Sequence, residues 1–120
     1  RGRMAYLTSN YGRGKLKTVT KGDASFPIFL WDMNNTINGY QAESTSLVPS
    51  DLTKGTGEDL TALIFGDFST VFMGMWGAVD ILVDKSTFST TGSVRITALL
   101  DTDIQFRNVE SLAMIVDMAR

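Results

Sequence analysis

The sequence predicts a β-rich α+β fold with short helices at most. Short β-type runs are separated by Gly, Pro and Asn clusters, one stretch alternates between apolar and polar residues, and no segment keeps a 3.6-residue apolar period beyond about three turns. The 120 residues are 43% hydrophobic and 20% charged, as in one ordinary globular domain.

The N-terminal part contains two β-type segments. Residues 4–8 form the first, and residues 9–14, which contain Gly and Asn, predict a turn after it. A short helix is also expected around residues 10–17. In the second segment, residues 26–31, Pro27 cannot donate a ladder hydrogen bond, so this residue belongs at a strand start or a sheet edge.

A turn-rich loop and a strand follow. Asn is frequent in residues 34–39, which also end in Gly, and this composition is typical of turns. Residues 40–48 predict a strand that is closed by Pro49. Residues 50–59 are polar and contain two glycines, so we expect an exposed and mobile loop.

The second half of the chain is richer in apolar residues. Residues 60–65 form a continuous apolar-rich run of the kind found in strands that are buried on both faces. Gly66, Asp67 and Phe68 interrupt this run. Residues 71–76 and 78–83 then resume the apolar pattern and predict further strands.

A hairpin is predicted next. Residues 84–92 are mostly polar and are followed by the alternating residues 94–100, so we expect two strands joined by an exposed tip. A second short helix is expected around residues 107–112. Residues 112–116 form another continuous apolar run, which favours a central strand.

Charge is distributed unevenly along the chain. The first 21 positions contain six of the 11 basic residues and no Asp or Glu, so the remaining 99 positions hold 5 basic and 13 acidic residues. This gives +6 for the first stretch and −8 (5 minus 13) for the rest. Such asymmetry favours a nucleic-acid contact, a basic edge that meets an acidic edge of another subunit, or an ordinary solvated loop. The basic residues are Arg1, Arg3, Arg13, Lys15, Lys17 and Lys21.

Composition excludes many catalytic sites. The sequence contains no Cys and no His, which removes disulfides, thiolate metal sites and the commonest general base. The segment from Gly12 to Lys15 superficially resembles a phosphate loop, but Ser9 and Leu16 stand where that motif needs Gly and Ser or Thr. No run approaches the roughly 18 apolar residues of a membrane span, and we expect a soluble intracellular protein.

Asp101 and Asp103 are the strongest candidates for a metal site. On a strand, their spacing of two places both carboxylates on the same side, where they could bind a hard cation. Further protein ligands are not evident nearby, so we favour charged residues at an exposed strand end or a subunit contact. We predict no catalytic residue, no cofactor and no metal for this chain.

Three segments, in their order and spacing, resemble a known family. The segments are Asn38, Gly39 and Tyr40 followed by Val48 and Pro49; Phe65, Gly66, Asp67, Phe68 and Ser69; and Val94, Arg95 and Ile96 leading to Asp103. Together with residues 5–8 and 13–17, they resemble the tailed-phage major capsid family with the Hong Kong 97 fold. The resemblance covers nearly the whole chain. Gln41 stands where the family often has Pro, and Asp101 stands where an Arg is common, which puts any contact of that Arg in doubt.

The resemblance implies a structural subunit and not an enzyme. Residues 1–76 and 101–120 would belong to an axial domain and residues 77–100 to a β-hairpin of a peripheral domain, in the C-terminal portion of a longer protein. Such subunits assemble with copies of themselves into hexamers and pentamers of an icosahedral shell in the virion, formed in the bacterial host cytoplasm. Packaged DNA would be contacted only non-specifically, and no membrane or small-molecule substrate is expected. An encapsulin-type nanocompartment shell is the alternative, and an enzyme or small-molecule-binding module is a distant third.

Seven residues are candidates for contacts between subunits. For the basic stretch we favour a subunit contact over DNA, because it contains just two aromatic residues and alternates its charges with turn glycines. The acidic loop is a plausible partner, and an aromatic residue in the polar hairpin tip is expected to pack on another subunit. The candidates are Arg13, Lys15 and Lys17 in the basic stretch, Asp51, Glu58 and Asp59 in the loop, and Phe88 in the tip.

Overall fold

The computed structural model describes residues 3–22 and 28–120. Two compact units are formed, one by the chain up to Thr70 together with Asn108–Arg120, and one by Val71–Arg107. The predicted segment 26–31 lies partly outside the described residues.

The elements follow one another with short connections. In chain order they are β1 (Met4–Thr8), α1 (Asn10–Leu16), β2 (Thr36–Ile37), β3 (Tyr40–Ser44), β4 (Leu52–Lys54), β5 (Gly57–Asp67), β6 (Val71–Asp84), β7 (Arg95–Phe106) and β8 (Leu112–Ala119), with 3-10 turns at Phe68–Thr70, Ser89–Thr91 and Val109–Ser111. The α+β class, the first strand and the helix near residues 10–17 are therefore confirmed, while the helix expected near residues 107–112 is a single 3-10 turn.

Strand β5 is the centre of a six-stranded sheet in the first unit. One edge of β5 pairs with β1 and β4, and the other edge pairs with β8, so that Leu60 lies opposite both Leu52 and Ala119. Beyond β1 lie β3, in parallel pairing, and β2. The continuous apolar-rich run in β5 agrees with this central position.

The loop predicted at residues 50–59 is instead a β-hairpin. β4 pairs with the start of β5, and Gly55, with a φ of 64°, lies in the tight connection between them. Its polar residues are mostly exposed, as expected. Polar composition predicted the exposure correctly, but it could not show that the backbone pairs with itself.

Strand β8 is an edge strand, so the central position predicted for residues 112–116 is wrong. Among the described residues β8 pairs only with β5, and the side chains of Met114 and Ile115 are 61% and 54% exposed. A continuous apolar run indicates that both faces of a strand carry apolar side chains. It gives no information on whether both edges are hydrogen-bonded.

Helix α1 packs closely on the sheet. The Ser9 side chain caps it by accepting a hydrogen bond from Gly12 N at 3.0 Å, which explains a helix in a stretch with two glycines. A Cβ on Gly12 would overlap the Thr8 hydroxyl and lie 2.6 Å from Met118 Cε. Close approach of helix and sheet therefore requires glycine at this position. The buried core consists mainly of Leu16, Trp31, Ile37 and Ala42.

The second unit is a two-stranded antiparallel ribbon of β6 and β7. Its register runs from Val71 opposite Phe106 to Asp84 opposite Arg95, with one interruption between Trp76 and Asp80. The predicted tip is exposed and contains Gly92 with a φ of 70°, which confirms the hairpin and its turn residue.

Candidate subunit interface

The basic candidates lie on and just after helix α1. Lys15 and Lys17 are exposed, whereas Arg13 is half-buried, with its guanidinium carbon 5.6 Å from the centroid of the Trp31 ring. Positive charges near the C-terminal end of a helix interact favourably with its dipole. Arg13 thus has a packing role within the chain, and Lys15 and Lys17 are the residues that can reach a partner.

The acidic candidates belong to the β4–β5 hairpin. Asp51, Glu58 and Asp59 are all exposed. Asp59 Oδ1 lies 3.4 Å from Arg120 Nη1, so this carboxylate already has a cationic neighbour in its own chain. In the same hairpin Lys54 Nζ lies 2.9 Å from Asp117 Oδ2, and its hydrogen bond and charge lower the pKa of Asp117 below its ordinary value. The negative charge of this hairpin is therefore partly offset within the chain.

Phe88 lies in an ordered hairpin tip. The Asp84 carboxylate accepts hydrogen bonds from Ser86 N and Oγ, both at 2.8 Å, and from the Thr87 hydroxyl and amide. These hydrogen bonds lower the pKa of Asp84 far below its ordinary value, and the bond from the Thr87 hydroxyl has the largest effect. The Phe88 side chain is 40% exposed, and the Arg95 guanidinium carbon is 5.1 Å from its ring centroid. No sequence motif indicates these roles of Asp84 and Arg95.

The stretch from Phe65 to Ser69 has a structural role. A Cβ on Gly66 would overlap the Ser111 carbonyl oxygen and lie 2.8 Å from Leu112 Cα, so β5 and β8 approach closely here. The Asp67 carboxylate then accepts hydrogen bonds from Ser69 Oγ at 2.6 Å and Ser69 N at 3.0 Å, which lower its pKa. This part of the motif ends β5 and shapes the turn that follows.

Three of the segments that suggested a family, those with Tyr6, Tyr40 and Phe65, meet in an aromatic cluster. Asn38 and Gly39, with φ values of 51° and 82°, form the two-residue turn between β2 and β3. That turn is followed by Tyr40, whose ring centroid lies 5.4 Å from that of Phe65. The Phe65 ring is in turn 4.2 Å from the ring of Tyr6. Residues far apart in the sequence thus form one packed feature of the sheet.

The β6–β7 ribbon has two chemically different sides. Opposed residues of antiparallel strands point to the same side, and side chains alternate along each strand. One side, called here the apolar side, carries Val71, Met73, Met75, Ile81, Val83, Ile96, Ala98, Leu100, Thr102, Ile104 and Phe106. The other, called the carboxylate side, carries Asp80, Asp84, Asp101 and Asp103 together with Phe72, Gly74, Trp76, Leu82, Arg95, Thr97, Leu99 and Gln105. Nearly all of these apolar side chains are exposed.

The metal candidates lie on the carboxylate side. Asp101 and Asp103 point to the same side of β7, as their spacing predicts. Asp103 accepts hydrogen bonds from Ile104 N and from the Gln105 side chain. Within residues 3–22 and 28–120, no cluster of three or more potential metal-ligating side chains occurs.

A shallow groove lies on the sheet of the first unit. Its lining includes Ala5, Leu7, Phe68 and two polar side chains, those of Gln41 and Glu43. The Gln41 amide donates to the Glu43 carboxylate at 3.1 Å. The two polar groups are thus paired with each other, and the groove lacks the convergent polar groups that a ligand-binding site needs.

None of the described helices is long and apolar enough to cross a membrane.

Comparison with known proteins identifies the family of this chain. A sequence profile described as the phage capsid family matches residues 6–117, and the chain belongs to that family. This confirms the family that the sequence motifs indicated.

Two known proteins illustrate the relationship. Over 113 residues the chain is 31% identical to the major capsid protein of Halomonas phage phiHAP-1, covering 92% of this chain and 16% of that protein. A solved structure, the capsid of an empty GTA particle computed with C5 symmetry, shares the fold with a TM-score of 0.69 at 16% identity, covering 98% of this chain and 39% of that one. The chain therefore spans well under half of the length of either protein.

Proposed function

We propose that this chain is part of a major capsid protein that assembles into hexamers and pentamers of an icosahedral shell enclosing DNA. The match of the phage capsid family to residues 6–117 carries this proposal. The shell would be that of a phage virion, assembled in the cytoplasm of the bacterial host. An encapsulin-type nanocompartment is not favoured by the comparisons, since the related proteins are described as a phage major capsid protein and a GTA capsid.

Within the subunit, we assign residues 1–76 and 101–120 to the axial domain and residues 77–100 to the peripheral-domain hairpin. The interruption of the β6–β7 register between Trp76 and Asp80 supports a boundary at this point. Gly77, with a φ of 82°, adopts a backbone conformation that favours glycine. The exposed apolar side of the ribbon would be covered by other parts of the whole subunit, because an isolated two-stranded ribbon is marginally stable in water.

Electron microscopy of the whole subunit that carries this chain, expressed alone, tests the proposal. We expect closed shells built from hexamers and pentamers. Shells that package a cellular cargo protein instead of DNA in the native host would favour the nanocompartment. A subunit that stays monomeric at all concentrations would contradict both shell functions.

The exposed lysines of α1 are proposed to contact a neighbouring subunit and not the genome. We expect Lys15→Ser with Lys17→Ser in the whole subunit to reduce capsomer formation at low salt, because an attraction across the interface is lost. DNA binding should change little. If these lysines bound phosphates, the slope of log affinity for DNA against log salt concentration would fall by about 0.9 for each phosphate contact removed, and we expect the slope to stay the same. Arg107→Ser, which removes an exposed positive charge outside the basic stretch and the hairpin tip, is the control. Normal capsomers with lost DNA affinity would instead identify a genome-facing surface.

Phe88 is proposed to pack on another subunit. Phe88→Ser should lower the yield and the thermal stability of assembled shells, because a large apolar side chain at an exposed tip is removed from the contact. Phe88→Leu, which keeps most of the apolar area, should have a smaller effect. Shell yield and melting temperature measured for both variants provide the comparison, and unchanged values for Phe88→Ser would refute the contact.

A further inference from the structure

The carboxylate side of the β6–β7 ribbon is unsuited to an apolar interior. The carboxylates of Asp80, Asp101 and Asp103 are exposed, and within the described ranges neither of the two ion pairs involves them. Covering them with an apolar layer of the same subunit would remove charges from water without compensation. The apolar side lacks charged side chains and can be covered by an uncharged layer. The two sides therefore require different partners.

Two exposed aromatic residues lie among these carboxylates. The side chains of Phe72 and Trp76 are 55% and 63% exposed. Trp76 lies directly opposite Asp101, while Phe72 lies opposite Gln105. Aromatic side chains supply much of the binding energy in protein interfaces, and a surrounding ring of charge sets which partner is accepted. This combination is typical of a protein-binding surface that selects a basic partner.

The first unit carries a segment of matching charge. Residues 3–21, called here the basic segment, contain Arg3, Arg13, Lys15, Lys17 and Lys21 and no acidic residue. Lys15 and Lys17 are exposed and have no carboxylate within ion-pair distance among the described residues. Because the subunit assembles with copies of itself under the proposed function, the basic segments of other copies are available as partners of the carboxylate side.

The carboxylate side is a better match for the basic segment than the β4–β5 hairpin. In that hairpin, Lys54 adds a positive charge and Asp59 is already next to Arg120. On the ribbon the one basic residue of the same side, Arg95, is directed to the Phe88 ring. The ribbon therefore has three exposed carboxylates on one side that are in neither ion pair, whereas the hairpin has two, those of Asp51 and Glu58.

We infer that the carboxylate side of the β6–β7 ribbon binds the basic segment of a second copy of this chain. Asp80, Asp101 and Asp103 attract Lys15 and Lys17 of the neighbour, and Trp76 packs on the aliphatic parts of these lysines. This inference rests on the proposed shell function. Asp51, Glu58 and Asp59 are the alternative partners of the basic segment, and charge-reversal variants distinguish the two.

Charge reversal in the whole subunit tests the pairing. Asp101→Lys with Asp103→Lys, or Lys15→Glu with Lys17→Glu, should each reduce shell yield at least about tenfold, because like charges then oppose each other. Combining all four changes should restore most of the yield. As the matched control, Asp51→Lys with Glu58→Lys should not rescue the Lys15→Glu and Lys17→Glu variant. Rescue by this control, or no rescue by the ribbon changes, would overturn the inference.

A disulfide assay separates this contact from the shell function. The 120 residues contain no cysteine, so Lys17→Cys in one tagged copy and Asp101→Cys in another report directly on their proximity. We expect a disulfide-linked dimer of the two tagged copies on a non-reducing gel, and a Lys85→Cys copy in place of Lys17→Cys should give none. If the unaltered subunit forms no shells but the dimer still appears, the shell function fails and the contact stands. Normal shells without the disulfide-linked dimer would reject the proposed contact and leave the proposed shell function intact.

Discussion

Gly12→Ala is expected to destabilise the chain by about 3 kcal/mol, at the upper end of the usual cost of overpacking. The added methyl group would overlap the Thr8 hydroxyl and lie 2.6 Å from Met118 Cε, so helix α1 could no longer approach the sheet. Thr8 is fully buried, and its hydroxyl donates to the Ala62 carbonyl at 2.9 Å. Displacing this side chain would therefore also break a buried hydrogen bond. Urea unfolding of the purified chain measures the change.

Gly14→Ala is the matched control, since it makes the same chemical change in the same helix. A Cβ on Gly14 would meet no atom within 4 Å. Alanine is favoured over glycine in a helix by up to about 1 kcal/mol, so this variant should be as stable as the original chain or slightly more stable. Equal losses in both variants would show that the close contact with the sheet is not the reason for glycine at position 12, because helix propensity alone favours alanine at both positions.

Gly66→Ala is expected to separate β8 from β5. The new Cβ would overlap the Ser111 carbonyl oxygen and lie 2.8 Å from Leu112 Cα, and backbone atoms cannot rotate aside as a side chain can. We expect a loss of about 3 kcal/mol in the free energy of unfolding. Amide hydrogen exchange should show lost protection in β8, whereas β1 and β3 stay protected.

Gly74→Ala in β6 provides the contrast. Its Cβ would approach only the exposed Trp76 ring, at 3.2 Å, and that ring can move. We expect little change in stability and none in the exchange of β8. Retained protection of the β8 amides in the Gly66→Ala variant would mean that the two strands tolerate a wider separation than their packing indicates.

Local patterns predicted the local parts of the fold. The strand at residues 4–8, the polar hairpin tip and the positive φ at Gly92 follow from alternation, composition and the properties of glycine. The pairing partners could not be predicted in this way. β8 has the apolar run of a central strand and lies at an edge, because the run describes the faces of a strand and the fold determines its edges.

The sequence predicts the charge of the candidate interface, but it does not predict which of the charged side chains are exposed. The basic stretch is evident from the sequence, yet only the structure shows that Arg13 packs on Trp31 while Lys15 and Lys17 remain exposed. The two sides of the ribbon were also hidden. Both sides of β6 carry apolar residues, such as Met73 on one side and Phe72 on the other, so the sequence of this strand does not alternate in polarity and its pairing with β7 is needed to separate the two sides.

Within residues 3–22 and 28–120 no further strand pairs with either edge of the β6–β7 ribbon, which has a consequence for the subunit before it assembles. Each edge presents backbone groups that could template further strands, and apolar strands of this kind are prone to aggregate. A bulge such as the one at residues 77–79 generally increases the local twist of a ribbon, and the carboxylates of Asp101 and Asp103 on β7 would repel a second ribbon stacked in register. The same charges that are proposed to select a basic neighbour would thus also oppose the stacking of ribbons before that neighbour binds.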